Sequence, residues 1–151
     1  MNAETTTFEA LLERDGELMW RTSGRSMRPL IKTGRDLVII SAPAGRLKKY
    51  DVAFYKTGGT YILHRILKVK ENGYTAAGDN NYFKENVAEK QILGVMTGLV
   101  RRGKKVDLGG FPYRAYVMTW GGRYGLRCAV TAPYRYLRRF AARIYHKIKG
   151  E

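Results

Sequence analysis

The sequence is short of the residues that build cross-links and metal clusters. Cys128 is the single cysteine among 151 residues, so no intrachain disulfide framework can form. As a nucleophile Cys128 would need a basic partner, and His146 lies too far along the same helical pattern; it reads instead as a small, half-buried residue. Histidine is equally scarce, with His64 and His146 alone. Acidic residues are few, 13 Asp and Glu against 28 Lys and Arg, for a formal charge of +15. No run approaches the roughly 18 consecutive apolar residues that a membrane-spanning helix needs. The opening residues, "MNAETTTFEALLERDGE", are polar and acidic, with neither the basic start nor the apolar run of a secretory signal. These absences point to a protein of the cytoplasm, or one held peripherally at a membrane.

The apolar content of 44% is that of a globular chain, and the length suits one domain with a real core. The positive charge is uneven. Residues 101–151 contain 13 Lys or Arg against only Asp107 and Glu151. Such a surface attracts nucleic acid, anionic lipid or an acidic partner, and charge alone does not choose among them.

Two patterns divide the chain. Residues 5–15 read as a short helix with Phe8, Leu11 and Leu12 on one face, threonines as N-caps and Gly16 as its stop. From there to about residue 110, β-rich runs alternate with turns. They are "ELMWRTS", "DLVIIS" (36–41), "DVAFYK" (51–56), "TYILHRILKVK" (60–70), "YTAAG" and "ILGVMTGLVRR" (92–102). "TGG" (57–59) and "ENG" (71–73) form the turns between them, and 79–91 reads as a loop. Gly94 and Gly98 are placed to bend the last strand. The expected fold is mainly β, a small barrel or folded sheet over residues 1–110, with a short N-terminal helix and a basic helical extension over 111–151. In that extension Leu126, Val130, Tyr134, Leu137, Phe140 or Ala141, Ile144 and Ile148 recur every three or four residues, with arginines and lysines between them. This is a basic amphipathic helix, interrupted or kinked at Pro133. Two readings stand side by side: an apolar stripe packed on the barrel, or residues 126–149 lying in an anionic membrane surface. Nucleic-acid binding is weaker, since no groove-reading motif accompanies the basic residues.

The segment that invites chemistry is "TSGRSMRPLIKTGRDLVII" (22–40). It sets Ser26 and Met27 between a glycine, two arginines and a proline, immediately before a strand. A serine hydroxyl needs a base within hydrogen-bond reach and donors for a developing oxyanion. Gly24 lets backbone approach a substrate, and Pro29 stiffens the turn. The candidate base is His64, whose apolar neighbours Leu63 and Ile66 would keep the imidazole neutral. On residue types alone, a turn serine and a packed strand histidine is the commoner reading of such a pair.

The order of the segments adds to this. "SGRSMRPLIKTGRD", "LKKYDVAFYK", "YILHRILKV", "AAGDNN" and "ILGVMTGLVRRGK" together resemble the signal peptidase I family and the wider clan that includes self-cleaving SOS repressors. The resemblance spans about residues 10–107. It implies a serine peptidase in which Ser26 is the nucleophile and His64, followed by Arg65, is the general base of the His-Arg version. The Ser26 N–H, with Gly24 nearby, would form the oxyanion hole, and Met27 would wall the pocket. Asp79 matches the Gly-Asp-Asn motif and would hold the active-site loops. Glu85 stands where the His-type enzymes carry a catalytic aspartate; Glu85 and Asp79 compete as the group that orients His64, and a bare Ser26–His64 dyad is the third option.

The sequence departs from the family in several places. Arg35 separates Gly34 from Asp36, Tyr50 stands before Asp51 where the family has glycine, and where the family carries an N-terminal membrane anchor the expected element here is only the short helix at 5–15. Neither a metal nor an organic cofactor is implied. The expected activity is cleavage of a leader or signal-like peptide, with small side chains before the cut by the family's habit. Its rivals are a catalytically inactive peptide-binding relative and a basic protein that binds membrane surfaces or nucleic acid.

Overall fold

Thr7 opens the first helix, its side chain accepting the Ala10 N–H at 3.3 Å, and α1 runs Phe8–Asp15. Gly16 ends it in the left-handed conformation (φ 73°), its N–H donating to the Leu12 carbonyl. That geometry is cheap only for glycine. The computed structural model describes residues 7–149, with side chains through residue 145. The expected helix start at 5 and 6 therefore lies outside the described residues. Leu12 is buried, and Phe8 packs edge-on against Tyr61 and Phe54 with ring centroids 4.8 and 5.8 Å away. Glu9 accepts hydrogen bonds from Lys56 Nζ at 2.8 Å and the Tyr61 hydroxyl at 2.5 Å. These bonds pin α1 on the sheet and hold the Glu9 carboxyl down at about 2.

The sheet is mainly antiparallel hairpins. Its strands are β1 (Glu17–Trp20), β2 (Asp36–Ser41), β3 (Val52–Thr57), β4 (Thr60–Lys70), β5 (Gly73–Ala77), β6 (Glu85–Ala88), β7 (Ile92–Arg101) and β8 (Lys104–Lys105). The spatial order is β1-β2-β7-β3-β4-β5-β6, with β8 paired to β7. The late strand β7 thus inserts between β2 and β3 and joins the two ends of the chain into one sheet. Register shifts at Ile39/Ile40, Phe54/Tyr55 and Ile66/Lys68 bend it, as extra residues in one strand of a pair do, into a curled half-barrel. The mainly β expectation holds. Gly94 and Gly98 serve close approach: a Cβ at either would come within 2.6 Å of Ile40 Cγ2 or 2.8 Å of Ile39 Cδ1.

Both faces of the sheet are covered. Phe54, Val38, Ile40 and Leu63 join Leu12 and the loop residues Met27, Leu30 and Ile31 in one core. Ala53, Tyr55, Ile66, Tyr74 and Val87 form a second on the other face. β3 contributes to both by strict alternation.

Three corrections to the sequence reading concern local structure. Residues 85–88 are strand β6 rather than loop, followed by a 3₁₀ turn at Glu89–Gln91. A short helix α2 (Phe111–Tyr116) and a π-helical turn (Val117–Gly121) precede the long helix. That helix, α3 (Tyr124–Lys149), continues through Pro133 without interruption.

Candidate active site

Ser26 sits in the 15-residue connection between β1 and β2 (residues 21–35). This loop is tied down from inside. Met27, Leu30 and Ile31 are buried, and the Ile31 N–H closes a turn onto the Met27 carbonyl at 2.9 Å. The Thr33 hydroxyl donates to the Gly24 carbonyl. At the loop's end Asp36 is wholly buried, taking the Lys32 N–H and two bonds from Arg35. Burial opposes its charge, but Arg35, the Lys32 N–H and Arg101 together hold the carboxyl below the ordinary value. The Gly34-Arg35-Asp36 departure is therefore built into an ionic clamp. Arg101 extends it by donating to the Leu30 carbonyl at 2.7 Å.

His64 lies mid-strand on β4, opposite Ala53 and near Tyr55. The residue is 4 % exposed. Nδ1 lies 3.1 Å from Glu85 Oε2 and 3.1 Å from the Tyr55 hydroxyl, and that hydroxyl itself donates to Glu85 Oε2. This set favours the tautomer with the proton on Nδ1, bonded to the carboxylate, and leaves Nε2 as an acceptor. Burial pulls the imidazole below its ordinary pKa, against the opposing pull of Glu85. The neutral form is the resting one at pH 7. Tyr55 is pushed strongly upward by burial and by Glu85, so it stays a neutral donor.

Nε2 and Ser26 converge on one backbone position. A Cβ built on Gly78 would lie 3.0 Å from His64 Nε2, 2.9 Å from Ser26 Cβ and 2.6 Å from the Ser26 carbonyl oxygen. Only glycine fits there. The group within hydrogen-bond distance of Nε2 is Asn81 Nδ2, at 3.3 Å, and no bond joins Ser26 Oγ to the ring among the described residues. Catalytic hydrogen bonds of unliganded sites are often loose in this way.

The Gly78–Asn81 loop straps the serine segment. The Asn80 N–H donates to the Ser26 carbonyl at 2.7 Å and its side-chain amide to the Arg25 carbonyl at 3.3 Å. Asp79, between them, is not the partner of His64. It makes a two-pronged ion pair with Arg65 at 2.9 and 2.7 Å, both residues being wholly buried. The Tyr116 hydroxyl adds a third donor to its carboxylate at 2.7 Å, and Trp120 Nε1 binds its carbonyl. Arg65 also donates to the Tyr50 carbonyl at 2.9 Å. Tyr50, where the resembled family has glycine, holds a positive φ of 79°, a conformation costly for any side chain but glycine. Of the two candidate orienting carboxylates, then, Glu85 meets His64 and Asp79 meets Arg65.

A cleft of about 360 Å³ opens beside the serine. Trp20, Gly24, Met27, Tyr61 and Phe83 line it together with Ser26, His64 and Glu85. Gly24 borders it with open space over its Cα, and Met27 closes its inner wall. Among the described residues, no group of three His, Cys, Asp or Glu is placed to hold a metal ion. Cys128 is half-buried, and the His146 side chain lies outside the described residues.

Sequence reasoning did not single out Tyr55, Gly78, Asn81 or Arg127. Tyr55 shares its strand face with Ala53, and Gly78 and Asn81 flank a motif already marked, so the first three were within reach. Arg127 donates to the Gly78 and Asn81 carbonyls at 3.0 Å each, yet nothing in a helix of many cations distinguishes it. Through Arg127, Tyr116, Trp120 and Tyr113, whose hydroxyl accepts from Arg65 at 3.2 Å, the segment after residue 110 becomes part of the site's support. No protein-family model and no curated protein matches the chain.

Proposed function

We propose that the protein is a serine endopeptidase of the signal-peptidase type, acting through Ser26, His64 and Glu85 on a leader or signal-like peptide. The observation that carries this reading is the convergence of His64 Nε2 and Ser26 on Gly78, with Nδ1 held on Glu85. Ser26 Oγ adds to the scissile carbonyl carbon and its proton passes to Nε2. The imidazolium so formed is stabilised by Glu85 across the 3.1 Å contact. The Ser26 N–H, at the mouth of the turn beside Gly24, meets the oxyanion. Collapse of the tetrahedral adduct breaks the C–N bond, and Nε2–H protonates the leaving amine. Water then adds to the acyl-serine, its proton taken by the same nitrogen, and the acid product leaves with Ser26 regenerated. Asp79 and Arg65 touch no reacting atom; they hold the loop.

The test is cleavage of a peptide library read by mass spectrometry. Ser26→Ala and His64→Ala each abolish the cuts while the circular dichroism of the domain is unchanged. Cuts that persist in either variant remove the dyad. One observation favours a second reading, a groove that binds peptide without cutting it: Asn81, not Ser26, occupies Nε2. A phosphonate probe that labels wild type at Ser26 excludes that reading. A folded, peptide-binding protein that resists the probe supports it.

A further inference from the structure

Helix α3 turns its polar face to the domain and its apolar face to water. On the polar face, Arg127 is buried and grips the Gly78 and Asn81 carbonyls. One turn on comes Thr131, and after it Arg135, whose guanidinium lies 3.9 Å over the Tyr82 ring. Lys84 reaches over the ring of Tyr124 at the helix start. Residues 124, 127, 131 and 135 fall on one side by their spacing. On the other side stand Leu126, Val130, Leu137, Phe140 and Ile144, between 43 and 63 % exposed. A helix packed on its own barrel would bury that stripe. A contiguous apolar stripe left in water marks a surface that something covers.

Charge selects what covers it. The 26 residues of α3 include seven Lys or Arg and no acidic residue. A second copy would bring the same seven cations alongside, within a chain of net charge +15, and repel. An anionic bilayer satisfies both features. The stripe enters the boundary between headgroups and acyl chains, Arg143 at its flank reaches the headgroups, and Arg138 and Arg139, which line a cavity with Tyr82 on the domain side, add to the helix's positive field. Among the described residues no helix is long and apolar enough to cross a membrane, so the attachment is in the plane of the surface. We propose that α3 docks on an anionic membrane surface through the stripe from Leu126 to Ile144. Because Arg127 roots the helix in the Gly78–Asn81 loop, docking of α3 tethers the domain that carries Ser26 to the surface. The docking itself stands whether or not Ser26 cuts peptides.

The experiment is sedimentation of the full chain with vesicles of phosphatidylcholine alone and of phosphatidylcholine with phosphatidylglycerol. Peptide cleavage in the same samples gives an independent reading of the site. Wild type partitions onto the anionic vesicles and little onto the neutral ones. The double variant Leu137→Glu, Phe140→Glu loses roughly tenfold or more of that binding, and its circular dichroism is retained because both side chains are exposed. Arg143→Glu weakens binding as well. Equal binding to neutral vesicles overturns the choice of anionic lipid. Undiminished binding by the Leu137→Glu, Phe140→Glu variant overturns the role of the stripe. Failure to bind either vesicle overturns the docking; if ultracentrifugation then shows a dimer that this variant dissociates, a second copy covers the stripe.

Discussion

Glu85 illustrates how much one methylene group can be absorbed by its surroundings. Its carboxylate reaches His64 Nδ1 because it starts strand β6, whose pairing with β5 sets Glu85 opposite Ala76, and because Tyr55 holds the same oxygen. Glu85→Gln keeps the shape and removes the charge, so kcat falls by roughly 10²–10⁴-fold if the residue acts as the third member of a triad. The pH profile supplies the sign. The proposed mechanism needs neutral His64, so cleavage should rise as pH climbs through its pKa, which burial keeps below 6.5. Glu85 favours the charged ring, so its neutralisation moves the acid limb of kcat/KM further down the pH scale, measurable as a shifted midpoint. Gly78→Ala is the companion test. Its Cβ would stand 2.6 Å from the Ser26 carbonyl oxygen, and a shift of about 1 Å in that backbone to relieve the clash costs about 10²-fold in rate. Single-turnover kinetics should show the loss in the chemical step rather than in peptide binding.

The connection from β1 to β2 and the loop after β5 form one unit, held by buried ions. Asp79 and Arg65 are each wholly buried, and each is satisfied by the other together with Tyr116 and the Tyr50 carbonyl. Removing one partner of such a pair leaves an uncompensated charge in the interior, so Asp79→Ala should destabilise the domain by about 3–5 kcal/mol, read by chemical denaturation. A role restricted to orienting His64 would instead reduce rate and leave stability intact. The Gly-Asp-Asn motif was thus visible as a motif, but its employment was not. Arg65 follows His64 directly, and the alternation of a strand sends the two to opposite faces. Asp79 could go with either, and only the folded positions of Tyr116 and Trp120 place it with Arg65. Strand β6 escaped notice because its four residues, Glu-Asn-Val-Ala, hold little β-branched or aromatic character; pairing with β5 makes it a strand.

The helical segment after residue 110 serves the sheet domain at its root and leaves the rest of α3 outside it. Arg127 joins the two by binding the carbonyls on either side of Asp79 and Asn80. As a positioning residue it should act through Gly78 and Asn81. Arg127→Met is expected to lower kcat about tenfold or more with little change in KM, since a misplaced Gly78–Asn81 loop disturbs the geometry of the reacting groups. A purely structural role would lower the melting temperature and leave kcat of the folded fraction unaltered.

Periodicity and turn chemistry were enough to predict strands β1 to β5 and β7, the hairpin turns, the N-terminal helix and the amphipathic character of α3, because each depends on neighbours a few residues away. Ser26 and His64 were also legible, as the residues of a tight turn and an apolar strand. The choice of Glu85 over Asp79, the need for glycine at 78, the grip of Arg127 and the outward direction of the α3 stripe were not. Each depends on groups far apart in the chain meeting across the curled sheet. An amphipathic pattern says that a helix has an apolar side, but the direction of that side is set by what the opposite side binds, here Tyr82 and the carbonyls of Gly78 and Asn81.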